Sequence, residues 1–393
     1  MIAAALFLTV AGFAEPDPQA FEAFKASFRA EALDAGIHAD IYDHEMETVS
    51  LLPVVFERDS NQPEFVRPIW DYLDSAVSDT RVANGRKGFA KQQRALMMAS
   101  EAYGVDAGVI AAIWGLESAY GKILGTNDIL SALASLGFEG RRTSFGRSQL
   151  IAALTILQEG YATRAQLKGS WAGAMGQTQF IPTTYLAYAV DQNNDGRRDL
   201  WADQEDVFAS TANYLDQSGW RTGQPWGVEV TLPEGFDYAV ADGRKMSVVE
   251  WIKRGVRGAN GVLSDSVDVD LQAKLLIPAG ANGPKFLTFK NFDVIKRYNN
   301  ATSYALGVAL LSDRIKGSDT SVIQSWPRDD RPLTRSERER LQQALAAKGF
   351  SVGAIDGVIG PNTRRALRAW QKSNGLPADG YPSAIVLAKL LEA

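Results

Sequence analysis

Residues 106–122 read DAGVIAAIWGLESAYGK, and Glu117 is the single charge between Asp106 and Lys122. Asp106 has the side chain of a helix N-cap, and Gly121 suits a stop. The run between them is apolar nearly all round, the pattern of a core helix. Ile110, Ile113 and Trp114 stand seven, four and three residues before Glu117 and share its face. A carboxylate in such a place is expensive unless it is paired or protonated. Burial raises a carboxyl pKa, and a Glu held protonated beside Trp, the lysozyme pattern, serves as a general acid. A structural Glu satisfied by an Arg or by backbone N–H groups fits this stretch equally well.

A second stretch, residues 169–182, reads GSWAGAMGQTQFIP. Its small residues let backbone come close. Its Ser and Gln side chains, Ser170 and Gln179 among them, can bond hydroxyls and amides alike. That combination suits a sugar carrying N-acetyl groups, with tight helix packing as the plainer alternative. It is no P-loop, because no Gly-Lys-Ser/Thr follows. A third stretch sets Asp191, Asn193, Asp195 and Gly196 as at the start of an EF-hand loop. The twelfth position, where a bidentate acid should sit, is Ala202, and Asp203 comes one residue late. An Asx-rich turn is expected there, and no metal ligand set is assigned.

Composition narrows the chemistry. The chain has no Cys and two His, His38 and His44. Thiol nucleophiles, zinc–thiolate sites, disulfides and Cys-linked lipid anchors are excluded, and His-based triads have little room. With 41 Lys+Arg against 46 Asp+Glu, the net charge of −5 argues against a protein that coats nucleic-acid phosphates. Hydrophobic residues make up 46%, which supplies real cores and excludes wholesale disorder.

The elements that must position these residues are mostly helical. The 393 residues predict two or three domains. Residues 19–60 place Phe21, Phe24, Phe28 and Leu33 at helical spacing, and residues 62–103 continue through Phe65, Ile69, Tyr72 and Leu73. Residues 106–215 form a third helical block. Residues 221–292 change texture. Val228–Leu232 alternates as a strand does, and Lys285–Phe289 reads likewise. Helical pattern returns at 299–315. Residues 316–332 are polar, turn-rich and aperiodic, a linker. Residues 333–393 then predict three short helices. A Thr334-x-x-Glu337 capping box opens the first, and Gly349 ends it. Pro361 starts the second, Gly375 and Pro377 end it, and Pro382 can open the third. Leu341, Leu345, Leu367, Trp370, Leu387 and Leu390 are its expected core. This tail carries nine Lys/Arg and five Asp/Glu, +4, so the body carries −9.

The first 14 residues are an apolar run closing on Gly12-Phe13-Ala14, followed by Glu15-Pro16-Asp17-Pro18. The run is too short to span a bilayer, for which roughly 20 residues are needed. It fits a secretory signal peptide, residues 1–14, although no Lys or Arg precedes it. No later stretch is long and apolar enough to span.

Five segments in order carry a resemblance. They are ESAYGK at 117–122, GRRTSFG at 140–146, GSWAGAMGQTQFIPTTY at 169–185, TANYLDQSGW at 211–220 and KRYNNATSYALGV at 296–308. Together they resemble the lytic murein transglycosylases of the membrane-bound B type, over residues 19–315. The tail, with Phe350, Asp356-Gly357, Gly360-Pro361-Asn362-Thr363 and Ala369-Trp370-Gln371, resembles the helical peptidoglycan-binding module often appended to them. The resemblance implies a mainly α, lysozyme-like catalytic domain with a small β-containing subdomain, and a C-terminal three-helix module. It implies cleavage of the MurNAc–GlcNAc β-1,4 bond without water, leaving a 1,6-anhydro-MurNAc end. The family's single catalytic Glu matches Glu117, and its substrate-contacting Ser and Gln match Ser170 and Gln179. Its Arg pair on the peptide-stem side matches Arg141 and Arg142. Its cleft aromatics match Tyr214, Tyr298 and Tyr304, with Asn299 beside them. No cofactor is implied, although relatives can hold calcium at the loop matching Asp191, Asn193 and Asp195. The implied partners are glycan strands and other cell-wall enzymes. The implied location is the periplasm of a Gram-negative bacterium, without a lipid anchor. A hydrolytic muramidase and a non-catalytic wall-binding protein stand as alternatives. A calcium-regulated adaptor rests on the Asp191 loop alone.

Overall fold

In this computed structural model the described residues are 16–60, 67–318 and 322–392. The expected signal peptide and Phe65 lie outside them. The chain forms two compact units that alternate along the sequence. Of the described residues, one holds 16–60, 124–187 and 197–201, and the other holds 67–123, 188–196, 202–318 and 322–392.

The first unit is helical. Pro18–Asp34 begins on an Asp17 cap whose side chain accepts from the Gln19 N–H. Its Phe21, Phe24 and Phe28 are buried, and Phe21 meets Phe138 edge-on at 5.5 Å between centroids. Ile129–Phe138 and Thr143–Gln158 pack at backbone contact. A Cβ on Gly146 would fall 2.3 Å from the Gly137 nitrogen, so only glycine permits that approach. From this base a short antiparallel pair, β1 (Asn127–Asp128) with β2 (Lys168–Gly169), leads into the glycine-rich loop.

The second unit is built round Ala107–Ser118, buried along most of its length. Asp106 caps it as expected, accepting from the Gly108 N–H at 2.7 Å. The stop comes three residues before the expected Gly121. Ala119 and Tyr120 enter the left-handed region with Gly121, at φ 50°, 63° and 79°. Each non-glycine residue there costs about 1–2 kcal/mol. Tertiary contact offsets that cost: the Tyr120 ring stands edge-on to Trp114 at 5.3 Å, and its hydroxyl donates to the Arg81 carbonyl. The Ser118 hydroxyl oxygen accepts from the Gly121 N–H at 2.9 Å, which closes the turn. Thr302–Ile315 packs on this central helix, and its Gly307 faces the Ile69–Ala76 helix, where a Cβ would meet Tyr72 at 3.2 Å.

The β-containing part of this unit is one antiparallel sheet of five strands. They are β3 (Gly227–Thr231), β4 (Lys245–Ser247), β5 (Arg257–Gly258), β6 (Gln272–Leu276) and β7 (Lys285–Thr288), in the order β4-β6-β7-β3-β5. Both strands expected from alternation are present, each ending one residue early; Val228 pairs with Leu287. Trp251 is fully buried against this sheet and donates to the Ala273 carbonyl.

The tail folds as three helices, Arg335–Ala347, Pro361–Ser373 and Ala384–Glu392, on the six core residues expected, all buried. The Thr334/Glu337 capping box forms. Buried Gln342 explains the Asp-Gly pair: its amide oxygen accepts from the Asp356 and Gly357 N–H groups. Residues 322–332 carry no helix or strand, in line with their sequence, but they are not a free tether. Glu229 accepts from the Ile323 and Gln324 N–H groups at 2.7 Å each, and Arg328 grips Asp74 with two nitrogens. Among the described residues no single helix is long and apolar enough to cross a membrane.

Candidate active site

Glu117 sits in the last turn of the central helix. Its carboxylate accepts a 2.5 Å hydrogen bond from the Tyr304 hydroxyl, carried by the Thr302–Ile315 helix that packs on the central one. Burial pushes the Glu117 carboxyl up from 4.5 to about 7, and the Tyr304 bond pulls it partly back. No second carboxylate among the described residues shifts it. Burial, and then the Glu117 charge, hold the Tyr304 hydroxyl well above its ordinary value. Tyr72 is raised the same way, by burial first and Glu117 second. The group is thus poised to hold its proton near neutral pH and to release it within reach of a small pH change.

Tyr304 opens a file of rings. Tyr298 stacks on it at 6.5 Å with planes 4° apart, Tyr214 stands edge-on to Tyr298 at 5.1 Å, and Tyr188 stands edge-on to Tyr214 at 4.9 Å. The Tyr214 hydroxyl is held by the Arg297 carbonyl at 2.6 Å. Asn299 is exposed, and its side-chain oxygen accepts from the Ala301 N–H to order the turn before Tyr304. The second unit therefore gathers Glu117, Tyr214, Tyr298, Asn299 and Tyr304. Tyr72 and Tyr188 join them without having stood out in the sequence, because a tyrosine at helical spacing reads as core.

The first unit gathers the other candidates. Ser170 Oγ accepts from the Ala172 and Ala174 N–H groups at 3.3 and 3.0 Å. Its own hydroxyl hydrogen stays available as a donor. Gln179, at φ 54°, gives its amide nitrogen to the Leu124 and Gly176 carbonyls at 3.1 and 2.9 Å. Its amide oxygen is left as an acceptor. The loop backbone is closed by Ser170 N–H to Ala174 and Met175 N–H to Phe180. Arg141 pairs through Nε with buried Asp59 at 3.3 Å. Arg142 lies over the Phe145 ring at 4.2 Å.

The loop at Asp191 uses its acids on itself. Asp191 accepts from the Asp195 and Gly196 N–H groups, and Asn193 donates to Asp203 at 2.8 Å. Asp203 also caps the Gln204–Gln217 helix. Among the described residues no group of three or more His, Cys, Asp or Glu is placed to hold a metal. The Asp191 carboxylate and the Asn193 amide are thus taken up by the loop and by Asp203.

A half-buried Glu with a raised pKa, the one acid on its core helix, in a mainly helical fold with a small sheet, is the arrangement of a lysozyme-like glycan-cleaving enzyme. Residues 20–313 match the Transglycosylase SLT domain family and residues 334–390 a peptidoglycan binding domain family. The chain belongs to the SLT transglycosylase family, and its enzyme class is lytic murein transglycosylase. It is 32% identical over 251 residues to membrane-bound lytic murein transglycosylase B of Escherichia coli strain K12, covering 62% of this chain and 66% of that protein. The chain thus spans just under two thirds of that relative. SltB3 from Pseudomonas aeruginosa, solved in complex with NAG-anhNAM-pentapeptide, superposes with a TM-score of 0.91 at 49% identity, over 95% of this chain and 100% of that one. Slt35 of Escherichia coli, solved with calcium, superposes with a TM-score of 0.64 at 28% identity, over 75% and 92% of the two chains.

Proposed function

We propose that Glu117 is the single acid and base of the non-hydrolytic peptidoglycan cleavage that membership in this family assigns to the chain. The observation that carries the reading is the carboxyl raised to about 7 by burial, with Tyr304 as its one bonded partner among the described residues. Most glycosidases flank the bond with two carboxylates; here one suffices because the substrate supplies the nucleophile. Protonated Glu117 donates to the glycosidic oxygen between MurNAc and GlcNAc. The charge developing at C1 is met by the substrate's own N-acetyl group, oriented by the hydroxyl of Ser170 and the amide oxygen of Gln179. Glu117, now a carboxylate, takes the proton of the C6 hydroxyl, which attacks C1 and closes the 1,6-anhydro ring. The second step is intramolecular, the advantage of reactants already oriented, and one group serves in both directions.

Tyr214, Tyr298 and Tyr304 supply aromatic faces to the glycan, with Asn299 at their edge. Arg141 keeps its terminal nitrogens, and Arg142 its guanidinium over the Phe145 ring, for the carboxylates of the peptide stem at the cleaved sugar. Residues 1–14 are read as an export signal and the periplasm as the site of action, which suits a polymer that lies outside the inner membrane. The Asp191 loop serves as the turn that starts the next helix. Product mass on purified sacculi tests the reaction: anhydro ends are one water lighter than reducing ends. Reducing ends from the wild type would make the enzyme a hydrolase.

A further inference from the structure

A cavity of about 700 Å³ opens where three parts of the second unit meet. The module's Pro361–Ser373 helix contributes Arg364, Arg365 and Arg368; the turn before β4 contributes Asp242, and the end of β6 with the residues after it contributes 275–278. Ile69 and Thr302 come from the first turns of the helices that carry Tyr72 and Tyr304. The volume is that of a pocket for a small ligand.

Its charges are not balanced from within. Arg368 is in contact with Asp242 and is neutralised by it. Asp379 spends its carboxylate on neutral donors, the N–H groups of Ala281 and Tyr381 and the Gln371 amide. Among the described residues Arg364 and Arg365 make no ion pair. Arg364 and Arg365 are both exposed, and the charges of Asp242 and Asp379 act on Arg364 without pairing with it. Two exposed guanidinium forks without an ion-pair partner are free to take an incoming carboxylate two nitrogens at a time. Leu276, Ile277, Pro278 and Ile359 give the same cavity an apolar wall. The fitting ligand carries carboxylates on a short backbone with small apolar groups. Peptidoglycan stems have that make-up, free carboxylates beside alanine methyls.

We infer that this cavity is a second polymer site, which takes the acidic peptide stem of a disaccharide other than the one at Glu117, its carboxylates on Arg364 and Arg365. The inference rests on the reading of the chain as a peptidoglycan-cleaving enzyme. The site is complete only with the module docked, since its walls come from both module and sheet. Its floor reaches Thr302, two residues from Tyr304, so an occupied cavity sets how far along the strand the cut falls.

The test uses the full chain and the R364Q/R365Q double variant. The free pentapeptide stem is titrated calorimetrically, with inorganic phosphate as the rival anion. Steady-state rates are measured on stem-bearing strands and on strands stripped of stems by an amidase. The wild type should bind the stem in preference to phosphate, and the variant should lose roughly tenfold in affinity, the worth of one charge-assisted fork. KM on stem-bearing strands should rise about as much at constant kcat, stripped strands should be cut equally by both proteins, and R364K/R365K should recover part of the loss. An unchanged KM on stem-bearing strands, an equal loss on stripped strands, or phosphate bound as tightly as the stem would overturn the inference. If the wild type cut neither polymer, the functional reading would fall, and the stem titration alone would decide the site.

Discussion

Glu117 and Tyr304 share one proton-sensitive contact, and its physics makes separable predictions. A Glu at about 7 in the folded chain against 4.5 in the open one binds its proton more tightly when folded. Stability therefore falls as pH rises from about 4.5 through 7, by roughly 3 kcal/mol at most. E117Q removes that dependence while keeping an acceptor for Tyr304. The variant should lose sacculus-solubilising activity, yet melt higher than the wild type at pH 8 and level with it at pH 4, by scanning calorimetry. A variant less stable at every pH would make Glu117 a structural residue. Y304F deletes the donor that favours the carboxylate, so the Glu117 pKa should climb further. The alkaline limb of kcat/KM, set near 7 in the wild type, should move upward; an unmoved limb would show that Tyr304 does not act through Glu117. The acid was legible because it is the one charge on an apolar helix. Tyr304 became its partner only through the packing of two helices 187 residues apart in sequence, a contact that periodicity does not encode.

The elements hold these groups by close approach, and there the sequence told unequal amounts. Asp106 and the Thr334/Glu337 box mark helix starts by local chemistry, and both are where the sequence puts them. The central helix ends three residues before Gly121 because Tyr120, seated against Trp114, overrides the local preference for glycine. The glycine-rich loop was readable as a close-approach device, though not which glycine bears the strain. A Cβ on Gly169 would fall 2.0 Å from the Ala174 carbonyl oxygen, the atom that receives the Ser170 N–H. G169A should therefore displace Ser170 and cut kcat/KM about a hundredfold, the order expected when a positioned group moves by an ångström. S170A, which removes only the hydroxyl, should cost less and leave Tm near the wild-type value. Equal rates for G169A and wild type would remove this loop from catalysis. Calcium at millimolar concentration should leave Tm unchanged, since the Asp191 loop already uses its carboxylate on backbone N–H groups; a rise of several degrees would return the loop to the metal sites.

At the scale of the molecule, the charge split of −9 and +4 is a property of sequence, but the consequence drawn from it needed the structure. A basic module on an aperiodic linker suggests a tether that raises local concentration. The contacts instead fix the module: Arg368 on Asp242, the Ala281 N–H on Asp379, and Glu229 holding residues 323 and 324. None of these partners is near the other in sequence, so neither composition nor pattern could announce them. Docking and tethering differ in an observable way. A tethered module lost by deleting residues 333–393 would weaken sacculus binding and leave the body as it was. A docked one also covers the sheet, so the deletion should in addition lower the Tm of the remaining chain. D379A separates the two effects without removing the module. It strands the Ala281 N–H and the Gln371 amide, each an unmet polar group worth about 1–3 kcal/mol if it stays dry. The variant should be cleaved faster by protease within residues 322–332 and lose processing of long strands, while still binding sacculi through its intact three-helix core. Protease sensitivity and strand processing at wild-type levels would instead show the module to be independent of the body, and the tether would be the right description after all.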